Sequence, residues 1–380
     1  MARKFRDTTG KPQNVLENEY NIHKKCMDLL PSLPSFVGDY FGSMDTQGLS
    51  NKTKQAYIND IYKFFTFLID AEIVTVKSVK DITLDDIEKL TATDVDDYLK
   101  YIQKYEENGI IYTNGKASTA RKRSSIVGLL SYLYRKDMTS HNISEKIDPV
   151  SIKRTGSNDN IKALQEDEIM ELLDIVSTGK GLTSKEHDYW EKNKYRDKLI
   201  IELFVNYGLR ITELQQLNIS SFNFRQGEFT IYRKRDKEAV MPMNRSITMV
   251  LQEYLDKERN LITNVADGHE DALFLALRSE KVTVGDKVIS GGRKRLSERQ
   301  IRDLVKKYTN MVIGNGGYSP HKLRATAATS ALRRGNDIFR VANLLDHDSV
   351  QTTQRYLQTN KEDKVSVVKS MEIEIERTQE

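Results

Sequence analysis

The sequence predicts a mainly α-helical fold with a small β-sheet: a helical domain followed by a mixed α/β domain. Three observations carry this. Only six prolines occur in 380 residues, which leaves long helices uninterrupted. Apolar residues recur at helical spacing along most of the chain. In one stretch, 222–243, the period changes to that of short strands joined by a charged turn. The length suits about two or three domains. A single cysteine, Cys26, excludes a disulfide scaffold and a cysteine-based zinc site. No apolar run of about 18 residues exists, so no membrane span is expected. The start, MARKFRDTTGKPQ, has no apolar segment that would mark a secretory signal, and a cytoplasmic protein is expected.

Residues 1–33 show little periodicity and read as an N-terminal arm or short helix. A helix starts after Ser50 or Asn51, with Tyr57, Ile61, Phe64, Phe65 and Leu68 on one face. Lys52, Gln55, Asn59, Lys63 and Thr66 lie mostly opposite, whereas Lys54 points nearer the apolar side. A second helix is expected from about Thr93 to Glu107, stopped by Gly109. A third begins near Ser118, with Ile126, Leu129, Leu130 and Leu133 as its apolar stripe. Its first turns carry Arg121, Lys122 and Arg123, which oppose the helix dipole and suggest an anionic partner or simple exposure. Residues 34–147 thus form a helical domain, and the polar stretch 148–163 a linker. The second domain, 164–360, opens with Ile169, Leu172, Leu173 and Val176 at helical spacing. Residues 178–195 are irregular and polar, then a helix runs from about Lys194 to Asn206 and ends at Gly208. FTIYR and AVMPM form a hairpin, helices follow at 245–259, 297–310, 320–334 and 338–345, and 281–290 reads as a surface hairpin. In the tail, 361–380, Val365, Val368, Met371 and Ile375 sit near helical spacing, a stripe that folds back or docks in a neighbouring protomer.

Net charge is only +4, so the distribution of charge matters more than its sum. Basic clusters stand at Arg121–Arg123, Arg233–Arg235, Arg293–Arg295 and Arg333–Arg334. Three segments of the second domain carry chemistry. In YGLRITEL, Gly208 ends a helix, Arg210 begins the next, and Glu213 is placed to accept a hydrogen bond or hold an arginine. In SPHKLRATAATSALRRG, Pro320 suits a first helical turn, and His321 and Arg324 share a face at i, i+3. In LLDHDSVQTTQRYL, His347 follows a helix and Tyr356 lies in a short helix after two threonines. Taken singly each has an ordinary structural explanation; the ordered set of two arginines, two histidines, a hairpin lysine and a late tyrosine does not.

This set resembles the tyrosine recombinase (phage integrase) family, from about residue 34 to 360. GLRITEL resembles the family's first catalytic arginine motif, IYRKRDKEAVMPM the hairpin with its catalytic lysine, HKLRAT the His-x-x-Arg motif, and LLDHDSVQTTQRY the final His-to-Tyr motif. LPSFVGDYF and WEKNKYRD further resemble Xer recombinases. The resemblance implies a helical core-binding domain at 34–147 and a catalytic domain with Arg210, Lys234, His321, Arg324, His347 and the nucleophile Tyr356. Lys237 is a rival for the lysine role, and Tyr308 and Tyr318 are rivals for the nucleophile. DNA contacts are expected from Lys52, Lys63, Arg121, Lys122, Arg123, Arg233 and Arg235. Two positions depart from the pattern: Asp346 replaces the usual Gly, adding a negative charge near a phosphate site that either slows catalysis or is turned outward, and Ala325 replaces a common His.

By this resemblance the partners are double-stranded DNA with paired recombination sites, a homotetramer on that DNA, and an accessory DNA-binding or translocase factor. No cofactor and no metal are expected, and the sequence has neither a P-loop pattern nor a carboxylate cluster for two-metal catalysis. Chromosome-dimer resolution and mobile-element integration use the same chemistry and both stay open. A type IB topoisomerase-like enzyme and a non-catalytic DNA-binding regulator are the competing readings.

Overall fold

The computed structural model describes residues 10–151, 162–233, 237–279, 281–284, 287–347 and 349–357. Its chain divides into two compact units, Lys4–Arg154 and Thr155–Glu380. Among the described residues no helix is long and apolar enough to cross a membrane.

The N-terminal unit begins with α1 (Gln13–Leu29), which packs on α3 (Asn51–Asp70) and buries Val15 and Cys26. Of the arm or short helix expected in 1–33, the helix is what forms, and the correction is to the boundary: residues from 13 onward belong to the unit, their two-residue apolar contact being too sparse to show as periodicity. α2 (Ser35–Thr46) buries Phe36, Val37, Tyr40, Phe41 and Met44. Ser50 caps α3 by accepting from the Thr53 N–H at 3.2 Å. α3 buries Ile58, Ile61, Phe64, Phe65 and Leu68. Lys54 is turned inward as its position on the apolar side implied, and pairs with Asp45. α4 (Leu84–Glu88) and α5 (Ala92–Tyr101) each start with a Thr–Asp capping box, at Thr83–Asp86 and Thr91–Asp94.

The helix expected up to Glu107 ends at Tyr101. An antiparallel hairpin follows, β1 (Lys104–Glu107) and β2 (Ile110–Thr113). Its turn is Asn108–Gly109, with φ of 51° and 74°, the left-handed pair that matches strand twist. α6 (Lys116–Arg135) closes the unit and buries Ile126, Leu129, Leu130 and Leu133, as its stripe predicted.

In the C-terminal unit, α7 (Glu166–Thr178) leads to α8 (Ser184–Glu191), a helix where an irregular segment was expected. α8 is polar apart from Trp190, so its signal is the Thr183–Glu186 capping box rather than a stripe. α9 (Lys194–Tyr207) is the central element, buried on nearly every side and packed by α7, α11 (Arg245–Lys257) and α13 (Pro320–Arg333). After α10 (Ile211–Gln216) comes an antiparallel sheet of β3 (Phe222–Asn223), β4 (Glu228–Tyr232) and β5 (Glu238–Pro242), in order β3-β4-β5. The hairpin β6 (Lys281–Val284) and β7 (Lys287–Ser290) lies where expected. α12 (Glu298–Ile313), α14 (Ile338–Leu344) and α15 (Val350–Leu357) complete the unit. Most of the expected linker, 152–161, and the tail beyond 357 lie outside the described residues.

Candidate active site

The site is assembled at the C-terminal ends of two helices. α9 stops at Gly208, whose φ is 59°. A Cβ there would come within 2.8 Å of Leu345 and 3.2 Å of Ala327, so close packing as well as the turn requires glycine. Arg210 follows as the N-cap of α10. Glu213, 3% exposed, accepts from the Arg210 backbone N–H at 2.8 Å and from Nη1 at 2.7 Å, fulfilling both roles its spacing suggested.

α14 ends at Leu344 with Leu345 as its C-cap, and Asp346 takes the left-handed conformation with φ 50°. Its N–H returns to the Asn343 carbonyl and that of His347 to the Ala342 carbonyl, each at 3.0 Å. This explains why glycine suits position 346, and aspartate is among the few other residues that tolerate it. The last carbonyls of α14 have no partners within the helix, and three arginines take them. Arg233 donates to Asn343 at 3.4 Å and Leu344 at 2.6 Å. Arg324 reaches Leu345, and Gly208 at 2.6 Å. Arg210 Nη2 donates to the Asp346 carbonyl at 2.9 Å. The Asp346 carboxylate lies 3.3 Å from Arg210 Nη1 and 3.8 Å from Arg233.

Pro320 opens α13 and places His321 and Arg324 on successive turns. Burial lowers the Arg324 pKa to about 10, with Arg210 adding to the effect, and its guanidinium stays charged near neutral pH. His321 opens to solvent on one side. The protein around it and the charges of Arg324, Lys322 and Arg210 still push its imidazole below 6.5. His347 is driven to about 4, first by desolvation and then by Arg324 and Arg210, against the pull of Asp346. Both rings are therefore neutral at pH 7. His347 Nδ1 is hydrogen-bonded to Thr353 Oγ1 at 2.8 Å, which orients the ring and leaves Nε2 for another partner.

Tyr356 lies on α15, its ring stacked near His347 with centroids 6.0 Å apart. It is 6% exposed, in a small apolar cluster with Ala325, Ala328, Val341 and Leu345. Ala325, a departure from the family pattern, serves that packing. Tyr308, a rival for the nucleophile, instead donates to Asp197 at 2.9 Å within the core, and burial raises its pKa far above the ordinary range.

Of the sequence-derived catalytic set, Arg210, His321, Arg324, His347 and Tyr356 share this one site: Arg210 and Arg324 hold the Asp346 and Leu345 carbonyls and depress both histidines, and Tyr356 packs on Leu345 beside His347. Lys234 and Arg235 lie outside the described residues; the flanking strands are in register from Tyr232 opposite Glu238, and Lys237 is exposed at the base of the hairpin. Arg233, expected on DNA, is turned inward onto α14. Among the expected DNA contacts of the N-terminal unit, Lys63 is engaged by Tyr105 Oη at 2.6 Å and Glu107 at 2.9 Å. Arg121 and Lys122 pair with buried Asp60, and Arg123 donates to the Ile147 and Asp148 carbonyls, each at 2.7 Å. The compensation sought for these cations at the start of α6 is thus largely internal. Lys52 is exposed in the first turn of α3.

Sequence reasoning missed Thr353 as the orienting partner of His347 and Arg233 as a tie between hairpin and site. The i, i+3 spacing of Thr353 and Tyr356 was the available signal for the first; nothing local marked the second. Among the described residues no group of three His, Cys, Asp or Glu could hold a metal ion.

Residues 162–363 match the phage integrase family, and residues 43–137 match the phage integrase N-terminal SAM-like domain. The chain belongs to the phage integrase family. Among curated relatives, it is 27% identical to tyrosine recombinase XerC of Thermodesulfovibrio yellowstonii, over 82% of this chain and 86% of that one. It is 24% identical to tyrosine recombinase XerS of Lactococcus lactis, over 89% of this chain and 96% of that one. Among solved structures, XerH site-specific recombinase bound to a palindromic difH substrate matches with a TM-score of 0.58 and 19% identity, covering 98% of this chain and 99% of that one. A lambda integrase dimer bound to a core site matches with a TM-score of 0.53 and 14% identity, covering 86% and 95%. These two likenesses bear out the expected fold, a helical domain followed by a mixed α/β domain.

Proposed function

We propose that this phage integrase family member is a site-specific DNA recombinase that cuts and rejoins DNA strands through a 3′-phosphotyrosyl intermediate. The observation that supports it is the convergence of Arg210, His321, Arg324, His347 and Tyr356, drawn from three separate segments, around the end of α14. Arg210 and Arg324 grip the non-bridging oxygens of the scissile phosphate through planar forks and stabilise the charge that develops there. Neutral His321 takes the proton of the Tyr356 hydroxyl as its oxygen attacks phosphorus. The phosphorus–5′-oxygen bond breaks, and Lys234 protonates the departing oxygen. Neutral His347, fixed by Thr353, hydrogen-bonds the phosphoryl group. The 5′ hydroxyl of a partner strand then reverses these steps. Bond energy is held in the covalent link, so strand exchange needs no nucleotide hydrolysis.

The substrate is double-stranded DNA with paired sites, acted on by a homotetramer; an accessory DNA-binding or translocase factor sets when the reaction runs. The named relatives favour an Xer-type role in resolving chromosome dimers over integration and excision of a mobile element. A topoisomerase-like enzyme would reseal the same strand, and a regulator would not cut.

The test uses a duplex recovered from a randomised pool by repeated binding, nicked so that the cleaved end diffuses away. The wild-type chain is expected to form a denaturant-stable DNA adduct, and Tyr356→Phe to bind without forming one. Adduct formation by Tyr356→Phe would overturn the nucleophile assignment. Absence of adduct with the wild type would favour the regulator, and absence of exchange between two sites would favour the topoisomerase.

A further inference from the structure

Among the described residues, Asp346 brings a carboxylate to the open side of the arginine cluster. Glu213, the other anion on Arg210, has a side chain only 2% exposed, whereas that of Asp346 is 25% exposed. Glu213 makes the short contact at 2.7 Å, and Asp346 makes the longer one at 3.3 Å to the same Nη1. The Asp346 carboxylate also approaches Arg233, at 3.8 Å. The three guanidiniums are otherwise held mainly by carbonyls, which fix geometry without cancelling charge. An anion over Arg210 at the solvent-facing edge stands where an incoming anion would meet that guanidinium, and like charges there repel.

From this we infer that the Asp346 carboxylate is a rate-setting residue, a built-in stand-in for the scissile phosphate that must yield Arg210 before cleavage. The inference rests on the proposed recombinase reading. In the DNA-free protein the contact holds Arg210 and the Arg233 base of the Lys234 hairpin in place. On DNA it is displaced, because two anions cannot share one fork without cost. The backbone does not need the charge: a left-handed residue at 346 is satisfied by Gly or Asn.

That conformational tolerance gives a clean experiment. Asp346→Asn keeps size and backbone but loses charge, and Asp346→Gly removes the side chain; both retain the left-handed turn. Single-turnover adduct formation is measured at saturating enzyme on the nicked duplex, with melting temperature recorded for each protein. Both variants are expected to cleave about three- to tenfold faster than the wild type, the range for a partly screened charge contact. On a duplex with a neutral methylphosphonate at the scissile position the repulsion is gone, and the advantage should shrink or vanish. Variants no faster than the wild type on the phosphate would overturn the inference, pointing to Asp346 as a prop for the hairpin. So would an equal gain on both substrates, which a purely structural effect would give. If no protein cleaves the methylphosphonate, the phosphate rates decide alone. Failure of the wild type to form any adduct would be a failure of the recombinase reading itself and is seen before the variants are compared.

Discussion

Two cation clusters, one in each unit, are held in opposite ways. Arg121, Lys122 and Arg123 stand consecutively on α6, and the first two close on Asp60, which is 4% exposed and also accepts from Ser125 at 2.9 Å. Arg210, Arg233 and Arg324 come from three separate elements: Arg233 and Arg324 close chiefly on the carbonyls of residues 343–345 and 208, and Arg210 meets the Asp346 carbonyl beside the carboxylates of Glu213 and Asp346. A carboxylate fixes a cation and cancels its field. A carbonyl fixes it and leaves most of its field free for a ligand. The first cluster is therefore mainly structural and the second is poised for an anion, although a plain reading of basic runs favours the first.

Breaking the second cluster should have the larger effect. Arg210→Ala, confirmed as folded by circular dichroism, is expected to lower the single-turnover cleavage rate about 10²–10³-fold, the usual loss when a preorganised donor to a developing anion is removed. A loss below about threefold would mean that Arg210 is held for structure alone. Breaking the first cluster should show in stability instead. Asp60→Ala removes the acceptor of charged hydrogen bonds and is expected to cost roughly 1.5–3 kcal/mol in urea denaturation, with the cleavage rate at saturating DNA little changed.

Both histidines of the candidate site, His321 and His347, have pKa values lowered by burial and by the arginines. The unfolded chain therefore binds protons that the folded chain refuses. Stability should fall as pH drops below about 6.5, the unfolded value, and the histidine contribution should be lost progressively down to the folded value near 4 for His347. Thermal melting from pH 7.5 to 4.5 checks this, and His347→Asn should flatten the profile. A melting temperature that rises from pH 7 to 5 in the wild type and is unaffected by His347→Asn would contradict it. The smallest effect is expected at Lys122, whose side chain is 14% exposed: Lys122→Ala should leave the salt dependence of duplex binding within about 0.9 of the wild-type slope, less than one phosphate contact. Arg121, 43% exposed, has an edge left for DNA, so its replacement should shift the slope more.

Gly208, Glu213 and the His321–Arg324 pair could be read from the chain because each acts within one helical turn of its neighbours. The stripes of α6, α7 and α12 were legible for the same reason. The hairpin β1–β2 was hidden by Lys, Glu and Gln, good helix formers, although Asn108–Gly109 was a sufficient turn signal. α8 was hidden because only Trp190 among its residues is buried. The partners of Arg121, Lys63 and Arg233 lie far away in sequence, and no local pattern encodes a pairing made by packing. Asp346 showed in the sequence as a departure that adds charge near a phosphate site, either slowing catalysis or turning outward; its contact with Arg210 needed the structure.

The residue to which the DNA becomes attached identifies the nucleophile. Trapped adduct from the nicked duplex is digested with trypsin and nuclease, and the nucleotide-bearing peptide is sequenced by mass spectrometry. The expected result is a phosphonucleotide on Tyr356, on the wild-type chain and on Asp346→Asn alike. A nucleotide on Tyr318, Tyr308 or any residue outside α15 would contradict the site assembled around the end of α14.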